Sequence, residues 1–256
     1  MLFISDVHHG LDSIKALPNT KEPIVILGDL INWIDYRNGE GIAQDVFGKE
    51  IVSKLIKLRK DHNFKERKKL WSSMFKEDEE KVKIKLEEAI YRQYQEVFQA
   101  LVNYDVLIIP GNVDSEKIIK ETMTKNVDYV DGQVINYKHL KIGFAGGGVP
   151  TPINARGEIT EEMFSLKLQQ LGEVDIICTH APPHIKELIT DVITNKEEQG
   201  WNSLNDYILN KKPKYSFFGD VHQPQASYWR LGSTECLNVG YFRANSNYLE
   251  LSSLIE

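Results

Sequence analysis

Five short apolar runs dominate the pattern of hydrophobic and polar positions along this chain. They lie at residues 2–5, 24–28, 106–111, 175–179 and 215–219. Short runs rich in Val, Ile and Phe, bounded by Gly or Pro, predict strands that are buried on both faces. Each run is followed by polar residues, which in order are Asp6 with His8, Asp29, Asn112, His180, and Asp220 with His222. Because residues beyond the carboxyl ends of such strands converge on one crevice, we expect a single site.

The segment between the second and third runs, at about 41–103, has a helical pattern instead. Its apolar residues recur at steps of three and four, at Phe47, Ile51, Leu55 and Leu58 and again at Leu86, Ile90, Tyr94, Val97 and Leu101. Such spacing predicts helices with one apolar face. A crossover between parallel strands needs only about a dozen residues. We therefore interpret the segment as a helical lid that sets specificity, or as an oligomer surface.

After Asn112 the pattern predicts a second sheet. Residues 128–130, 133–137 and 140–145 have the character of antiparallel strands, with Asp131-Gly132 as a hairpin signal, and residues 226–231, 235–239 and 248–251 complete the sheets. Gly146-Gly147-Gly148 either offers backbone N–H groups to a phosphate, with Arg156 as a clamp, or is a flexible turn. The turn is favoured, since the stretch matches no phosphate-binding fingerprint.

Composition is that of a globular intracellular protein. The chain has 256 residues, 41% of them hydrophobic and 27% charged, and we expect a single domain over residues 1–256. The chain contains no apolar run of about 18 residues, so no membrane association is expected. Cys178 and Cys236 fall in strand-like segments and indicate buried thiols in a reducing, cytoplasmic compartment. A cleaved leader is not expected, because it would remove Asp6.

Charge disfavours nucleic acid as a partner. The formal net charge is −6, whereas binding a phosphate backbone needs a basic face. One run, from Lys57 to Lys69, is locally basic, with seven Lys and Arg residues against Asp61 and Glu66. A solvated helix face is the favoured interpretation. The run forms a phosphate-attracting rim only if it faces the site.

The candidate chemistry is metal binding. Side chains two residues apart on an extended segment point the same way. The pair Asp6 and His8, and the pair Asp220 and His222, can therefore each bind at one metal position, or locus. Asp29 stands alone after its strand and suits a carboxylate that bridges two ions. Mixed oxygen and nitrogen ligands favour divalent Mn, Fe, Zn or Ni over Ca.

Asn112 and His180 complete the candidate set, as a carbonyl oxygen and an imidazole nitrogen. Taken singly, each residue has an ordinary alternative: Asn112 suits a turn, and His8 or His180 suits a structural histidine. Five strand ends with one chemistry favour the metal site.

The ordered motifs Asp-x-His, Gly-Asp, Gly-Asn-x-Asp, Thr-His and Gly-x-x-His resemble the calcineurin-like metallophosphoesterase superfamily. The resemblance runs to about Gly240 and excludes the helical segment. It implies an α/β fold, a four-layer αββα sandwich of two mixed β-sheets flanked by helices. It implies two divalent ions, one held by Asp6, His8, Asp29 and His222, the other by Asp29, Asn112, His180 and residue 220. It also implies hydrolysis of a phosphoester by a metal-bridging hydroxide.

Two departures from the family pattern matter. Gly219-Asp220-Val221-His222 has a carboxylate where the family most often has an imidazole. We expect Asp220 to be a direct ligand, with binding through water or the loss of a second site as alternatives. At Gly111-Asn112-Val113-Asp114 the family's frequent His, which protonates the leaving group, is replaced by Val113.

The loss of that His leaves water, His9, His184 or no group at all to protonate the leaving group, so activated leaving groups should react best. We interpret His9 first as a supporting or core residue. Asp114 is expected to orient the Asn112 turn or a ligand. Asn238-Val239-Gly240 resembles the family's Asn-Pro-Gly turn.

The leading functional hypothesis is a phosphodiesterase with a small phosphoester substrate. With Asp220 as a ligand, two divalent ions, three Asp and a hydroxide sum to a neutral centre, which favours diester monoanions and Mn. The alternatives are a phosphomonoesterase or phosphatase, a nuclease, and, in a different class, a non-catalytic scaffold on the same fold.

Overall fold

The computed structural model describes residues 1–75, 78–152 and 154–255. Its strands are β1 (Leu2–Ile4), β2 (Ile24–Ile26), β3 (Val106–Ile108), β4 (Val127–Tyr129), β5 (Val134–Tyr137), β6 (Leu140–Ala145), β7 (Ile176–Thr179), β8 (Thr190–Asp191), β9 (Lys196–Glu197), β10 (Tyr215–Phe218), β11 (Tyr228–Leu231), β12 (Thr234–Asn238) and β13 (Leu249–Glu250). Its helices are α1 (Leu11–Lys15), α2 (Ile42–Phe47), α3 (Lys49–Lys60), α4 (Phe64–Ser73), α5 (Glu79–Ala100), α6 (Glu116–Thr122), α7 (Glu161–Leu171), α8 (Lys186–Ile189), α9 (Asn202–Lys211), α10 (Phe242–Asn245) and α11 (Ser252–Ile255).

Two mixed sheets form the centre of the fold. The first has the order β13-β1-β2-β3-β4, with β1 to β4 parallel and β13 antiparallel at one edge. The second has the order β11-β12-β10-β7-β6-β5, with the four central strands parallel and both edge strands antiparallel. All five strands expected from the apolar runs are present, three in the first sheet and two in the second.

Alternating side chains place apolar residues on both faces of each sheet. Phe3, Val25 and Phe217 lie between the sheets, where the rings of Phe3 and Phe217 meet edge to face with centroids 4.9 Å apart. Ile4 faces outward onto α1, α5 and α6, and Phe218 faces outward onto α7 and α9. The layers therefore run helix, sheet, sheet, helix, which confirms the predicted αββα sandwich.

The segment expected to be a helical lid has two parts. Its last helix, α5, buries the apolar face that the sequence pattern predicted, with Tyr94 and Val97 fully buried in the same cluster as Ile26 of β2. α5 therefore contributes to one layer of the core, and the lid interpretation of the segment stays a prediction.

The expected hairpin at Asp131-Gly132 is wrong. β4 pairs in parallel with β3 of the first sheet, while β5 pairs with β6 in the second sheet. The chain thus crosses between the sheets at Asp131-Gly132, where Gly132 adopts a φ of +75°. Asp131-Gly132 does form a turn, as its sequence indicates. Which strand each flanking strand pairs with, however, depends on the packing of the whole chain.

Both cysteines are buried, unpaired thiols, as expected. Cys178 lies on β7 and Cys236 on β12. Burial raises the pKa of both, that of Cys236 to about 12, so neither is a ready thiolate. Among the described residues, no helix is both long enough and apolar enough to cross a bilayer.

Candidate metal centre

The seven predicted site residues lie at the carboxyl ends of five parallel strands, but the backbone of four of them is in the left-handed region. Asp6, His8, Asp29 and Asp220 have φ values of 57°, 40°, 56° and 65°. Non-glycine residues adopt this left-handed region rarely and at a cost, and such residues cluster at functional sites. The argument from alternation along an extended segment is therefore wrong. Tight left-handed turns, rather than strand alternation, aim these side chains.

Asp6, His8 and His222 form the first cluster. His222 Nε2 lies 3.3 Å from Asp6 Oδ1, and His8 Nε2 lies 3.8 Å from the same oxygen. The Nε2 atoms of the two histidines are 3.1 Å apart. Two ring nitrogens and one carboxylate oxygen therefore converge within the reach of a single ion.

Asp29 joins this cluster to a second one. Its Oδ2 lies 3.5 Å from His8 Nε2, while its Oδ1 lies 3.5 Å from His180 Nε2. Asp220 Oδ1 is also 3.5 Å from His180 Nε2. Asp220 and His222 therefore face different clusters. The expectation that this pair holds one locus is wrong. Because Asp6 also lies close to Asp29 and His180, the division of ligands implied by the family resemblance stays a prediction.

Backbone carbonyls set the orientation of two histidines. His180 Nδ1 lies 2.7 Å from the oxygen of Leu27, and His8 Nδ1 lies 3.1 Å from that of Ile31. A carbonyl only accepts, so in both rings Nδ1 carries the proton and donates it. The Nε2 atoms are thereby directed at the carboxylates, the orientation found in histidines that ligate metals.

Three polar atoms at this site are buried without a hydrogen-bond partner in the described part of the chain. They are Asp6 Oδ1, Asn112 Oδ1 and His180 Nε2. Burying a polar atom unpaired costs about 1–3 kcal/mol, so native proteins rarely leave such atoms together. All three are oxygen or nitrogen atoms of the kind that bind divalent cations as ligands. The residues therefore fit a metal ion.

The electrostatics of the cluster point the same way. Burial, reinforced by the charges of Asp114, Asp6 and Asp220 and opposed by His180, raises the pKa of Asp29 to about 8. Burial opposes protonation of His180, yet the charges of Asp29 and Asp220 hold the pKa of His180 well above its usual range. The crowded carboxylates thus attract positive charge strongly, which divalent ions would supply.

His8 behaves differently. Burial and the charge of His222 lower the pKa of His8 to about 4, so its ring is neutral near pH 7 and keeps a free Nε2 lone pair. Burial would raise the pKa of Asp6, but the close approach and charge of His222, with help from His180 and His8, hold it well below its usual range.

Glycines let the loops approach one another closely. A Cβ at Gly111 would lie 2.1 Å from Asp29 Oδ1, and one at Gly219 would lie 2.5 Å from Asp6 Oδ2. Any larger residue at either position would collide with a candidate ligand. Val113, next to Asn112, donates its backbone N–H to Asp29 Oδ1 over 3.1 Å. The Asn112 loop is therefore docked directly on Asp29.

Asp114 organises these loops, as expected. It is fully buried and accepts hydrogen bonds from the backbone of Asp29 at 2.7 Å, Gly111 at 2.9 Å and Leu30 at 3.1 Å. The hydroxyl of Tyr94 on α5 donates to it over 3.0 Å. One carboxylate thus ties together two ligand-bearing turns and the helical segment.

The glycine-rich stretch after β6 does not offer free N–H groups. Gly146, Gly147 and Gly148 donate to Asp131 Oδ1 and to the carbonyls of Pro110 and Gly157. A Cβ at Gly148 would lie 2.2 Å from that of Asn112. The stretch is neither a phosphate cradle nor a flexible turn but a packed support for the Asn112 loop. Arg156 is exposed.

The two alternative proton donors face other surroundings. His9 is bound through Nε2 to Glu96 of α5 over 2.6 Å, and its ring lines a cavity of about 470 Å³ beside α1. It is therefore neither a core residue nor part of the carboxylate cluster. His184 is exposed, and its backbone bonds with Trp201 and Asn205.

Sequence reasoning missed several supporting residues. The ring of Tyr241 stacks on His222 with centroids 3.8 Å apart, and Arg37 donates to the Tyr241 hydroxyl over 3.0 Å. Arg243 donates to the carbonyl of His8 over 3.0 Å. The one signal in the sequence was the Asn238-Val239-Gly240 turn. Asn238 donates to the carbonyl of Val221 over 3.0 Å and so fixes the loop that carries His222.

Comparison with solved structures agrees with this fold. One crystal structure is 16% identical, with a TM-score of 0.60, and the match covers 94% of this chain and 90% of that chain. The crystal structure of TT1561 of Thermus thermophilus is 14% identical, with a TM-score of 0.53 and coverage of 94% and 89%. No curated protein matches the sequence.

The family model for calcineurin-like phosphoesterases matches residues 1–224, which include every strand-end motif identified above. With its two mixed sheets between helices and its convergent aspartates and histidines, the chain belongs to the calcineurin-like phosphoesterase family.

Proposed function

We propose that this protein is a phosphoesterase that uses two divalent metal ions and favours phosphodiesters. The position of Asp29 carries the proposal. Its two carboxylate oxygens face His8 and His180, each at 3.5 Å, so one side chain belongs to two clusters at once. A shared carboxylate is the feature that a binuclear centre needs and a single ion does not.

In this proposal the chain supplies the ligands of both ions. Asp6, His8, Asp29 and His222 would hold one, and Asp29, Asn112, His180 and Asp220 would hold the other. When bound, paired divalent ions activate water and stabilise the charge that develops on a phosphoryl group during in-line displacement. The protein's own residues fix the positions of these ligands through the Asp114 network and the glycine contacts.

Asp220 supports a preference for diesters. Three carboxylates, from Asp6, Asp29 and Asp220, offset three of the four positive charges of two divalent ions, whereas His at 220 would leave one more charge uncompensated. Attraction scales with the product of the charges, so the loss falls more heavily on a monoester dianion than on a diester monoanion. An oxygen-rich second cluster also favours Mn over Zn.

Val113 limits which leaving groups react. Its side chain is partly buried and packs against the hydrophobic cluster between the first sheet and α5, and it has no proton to donate. The exposed His184 and the Glu96-paired His9 do not replace it in the cluster. Esters with good leaving groups, which depart without protonation, are therefore expected to react fastest.

Hydrolysis of bis(4-nitrophenyl) phosphate and 4-nitrophenyl phosphate, measured on protein reconstituted with Mn, tests the proposal. We expect about two Mn per chain by elemental analysis and a higher kcat/KM for the diester. Asp29→Asn should abolish turnover and lower the metal content, while Asp128→Asn, an exposed Asp on β4, should change neither.

Two results would contradict this function. Full turnover by Asp29→Asn with both ions bound would exclude the shared carboxylate. A folded, metal-loaded protein with no activity on any phosphoester would instead support the non-catalytic scaffold.

A further inference from the structure

His222 is held differently from the other two histidines of the metal centre. His8 and His180 each donate from Nδ1 to a backbone carbonyl, whereas Nδ1 of His222 makes no hydrogen bond within the described part of the chain. His222 is also the most exposed of the three, with 34% of its side chain accessible against 13% for His8 and 0% for His180. Ligating histidines are normally oriented by a bond to the second ring nitrogen, so another contact has to fix this ring.

The ring of Tyr241 supplies that contact. It lies almost parallel to the ring of His222, with centroids 3.8 Å apart and planes inclined by 5°. The same ring meets the ring of His8 at 84°, with centroids 5.8 Å apart. Tyr241 is buried, so stacking places it as a wall behind His222 rather than as a loose cover. One aromatic side chain therefore packs against both histidines of the first cluster.

Tyr241 is itself fixed from its hydroxyl end. Arg37 Nη2 donates to the Tyr241 hydroxyl over 3.0 Å. Arg37 is held in turn by the buried carboxylate of Asp35, to which its Nε and Nη2 donate over 3.1 and 2.9 Å. Paired bonds of this kind hold a guanidinium in one orientation. The phenol ring cannot turn away from His222 without losing the bond from Arg37.

Asp35 is also tied to the turn that carries His8. Arg243 Nη2 lies 3.5 Å from Asp35 Oδ2, and Arg243 Nη1 donates to the carbonyl of His8 over 3.0 Å. The backbone N–H of Arg243 donates to the carbonyl of Asp6 over 3.2 Å. Asp35 therefore joins two arms of contacts, one that ends on the ring of His222 and one that ends on the turn of Asp6 and His8.

We propose that Tyr241 is a positioning residue that holds His222 as a metal ligand and so sets the affinity of the first cluster for its ion. The inference rests on the metal-dependent function proposed above. Stacking fixes the plane of the ring whose Nε2 lies 3.3 Å from Asp6 Oδ1. Without Tyr241 the partly exposed His222 would be free to adopt other rotamers, and ordering it would weaken each binding event.

Equilibrium dialysis of the full chain against Mn, with bound Mn measured by elemental analysis, tests this role. Tyr241→Leu removes the ring, and we expect the affinity for one of the two Mn to fall about tenfold to a hundredfold, as for loss of a group that orients a ligand. Tyr241→Phe keeps the ring and loses only the bond from Arg37, so its affinities should stay within about threefold of the native values. A fall in Tyr241→Phe as large as that in Tyr241→Leu would refute the role of stacking.

A double-mutant cycle shows whether Tyr241 acts through His222. His222→Ala should weaken the binding of one Mn. Adding Tyr241→Leu to His222→Ala should change the affinities by no more than about twofold, because the ring to be positioned is already absent. A general structural effect of Tyr241→Leu would persist in the His222→Ala background, and that result would refute the proposal.

Tyr207→Leu is the matched control for stability. Tyr207 on α9 is 7% exposed, against 8% for Tyr241, and its hydroxyl donates to the carbonyl of Gly172 over 2.8 Å. We expect this variant to have a lower Tm but native Mn affinities. An equal loss of affinity in Tyr207→Leu would refute a specific role for Tyr241. Tyr241→Met, whose flexible side chain fills more of the same space, replaces Tyr241→Leu if that variant does not fold.

The outcomes distinguish the two proposals. If the native chain binds two Mn and hydrolyses phosphodiesters, but Tyr241→Leu binds both ions with native affinity, the positioning role is refuted and the phosphoesterase function stands. If Mn binding depends on Tyr241 as expected but no phosphoester is hydrolysed, the positioning role is supported and the proposed function fails. If the native chain binds no Mn, both fail.

Discussion

Replacing Tyr94 by Phe removes one oxygen from the interior of α5 and tests whether this helix belongs to the core and the site. The Tyr94 hydroxyl donates to Asp114 Oδ1 over 3.0 Å and accepts from the backbone N–H of Ser115 over 2.9 Å. The side chain is fully buried, and burial raises its pKa, so the phenol stays protonated and remains a donor.

The magnitude follows from those two bonds. Phe fills the same volume, so no cavity forms, but Asp114 loses its side-chain donor and the Ser115 N–H loses its acceptor. Leaving buried partners unpaired in this way costs about 2–4 kcal/mol in the free energy of unfolding. For a chain of this size each kcal/mol lowers Tm by roughly 2–4 °C, so we expect a fall of roughly 4–16 °C.

Tyr91→Phe is the matched control. Tyr91 lies on the same helix, but its hydroxyl donates to Glu121 at the protein surface. The loss of a surface bond changes stability by about 0.5 kcal/mol or less. Calorimetric unfolding of both variants, with and without Mn, provides the comparison. Equal Tm values for Tyr94→Phe and Tyr91→Phe would refute the structural role of Tyr94.

Three further predictions concern the site and the core. Gly111→Ala should reduce kcat/KM at least about a hundredfold, because the new Cβ would lie 2.1 Å from Asp29 Oδ1, whereas Gly143→Ala on β6, with its nearest contact at 3.1 Å, should retain activity; comparable rates for the two would contradict the crowding argument. Asp220→His should shift kcat/KM toward monoesters and metal preference toward Zn, and ratios that stay unchanged with Mn and with Zn would show that Asp220 is not a ligand. Cys178 and Cys236 should react with a disulfide reagent only after unfolding, since both are buried with raised pKa values; rapid reaction in the native protein would contradict their burial.

The sequence alone was sufficient for the central strands. The apolar runs before Asp6, Asp29 and His180 are confirmed as buried parallel strands, because a strand covered on both faces must be apolar throughout. The helical period in α5 was equally clear, since one face of that helix meets the first sheet. The order of the strand-end motifs along the chain identified the family, which the family model confirms.

Tertiary structure decided how these parts meet. Whether β4 joins the first or the second sheet depends on packing across the chain, which local turn chemistry at Asp131-Gly132 does not encode. The separation of Asp220 from His222 arises because left-handed turns redirect side chains that an extended strand would keep parallel.

The same reason explains the residues that the sequence did not reveal. Tyr94 and Tyr241 resemble ordinary aromatic residues along the chain. Their roles come from neighbours that are distant in sequence, namely Asp114 and His222. Local patterns record which residues must be buried and where strands end, whereas contacts between remote segments exist only once the layers have packed.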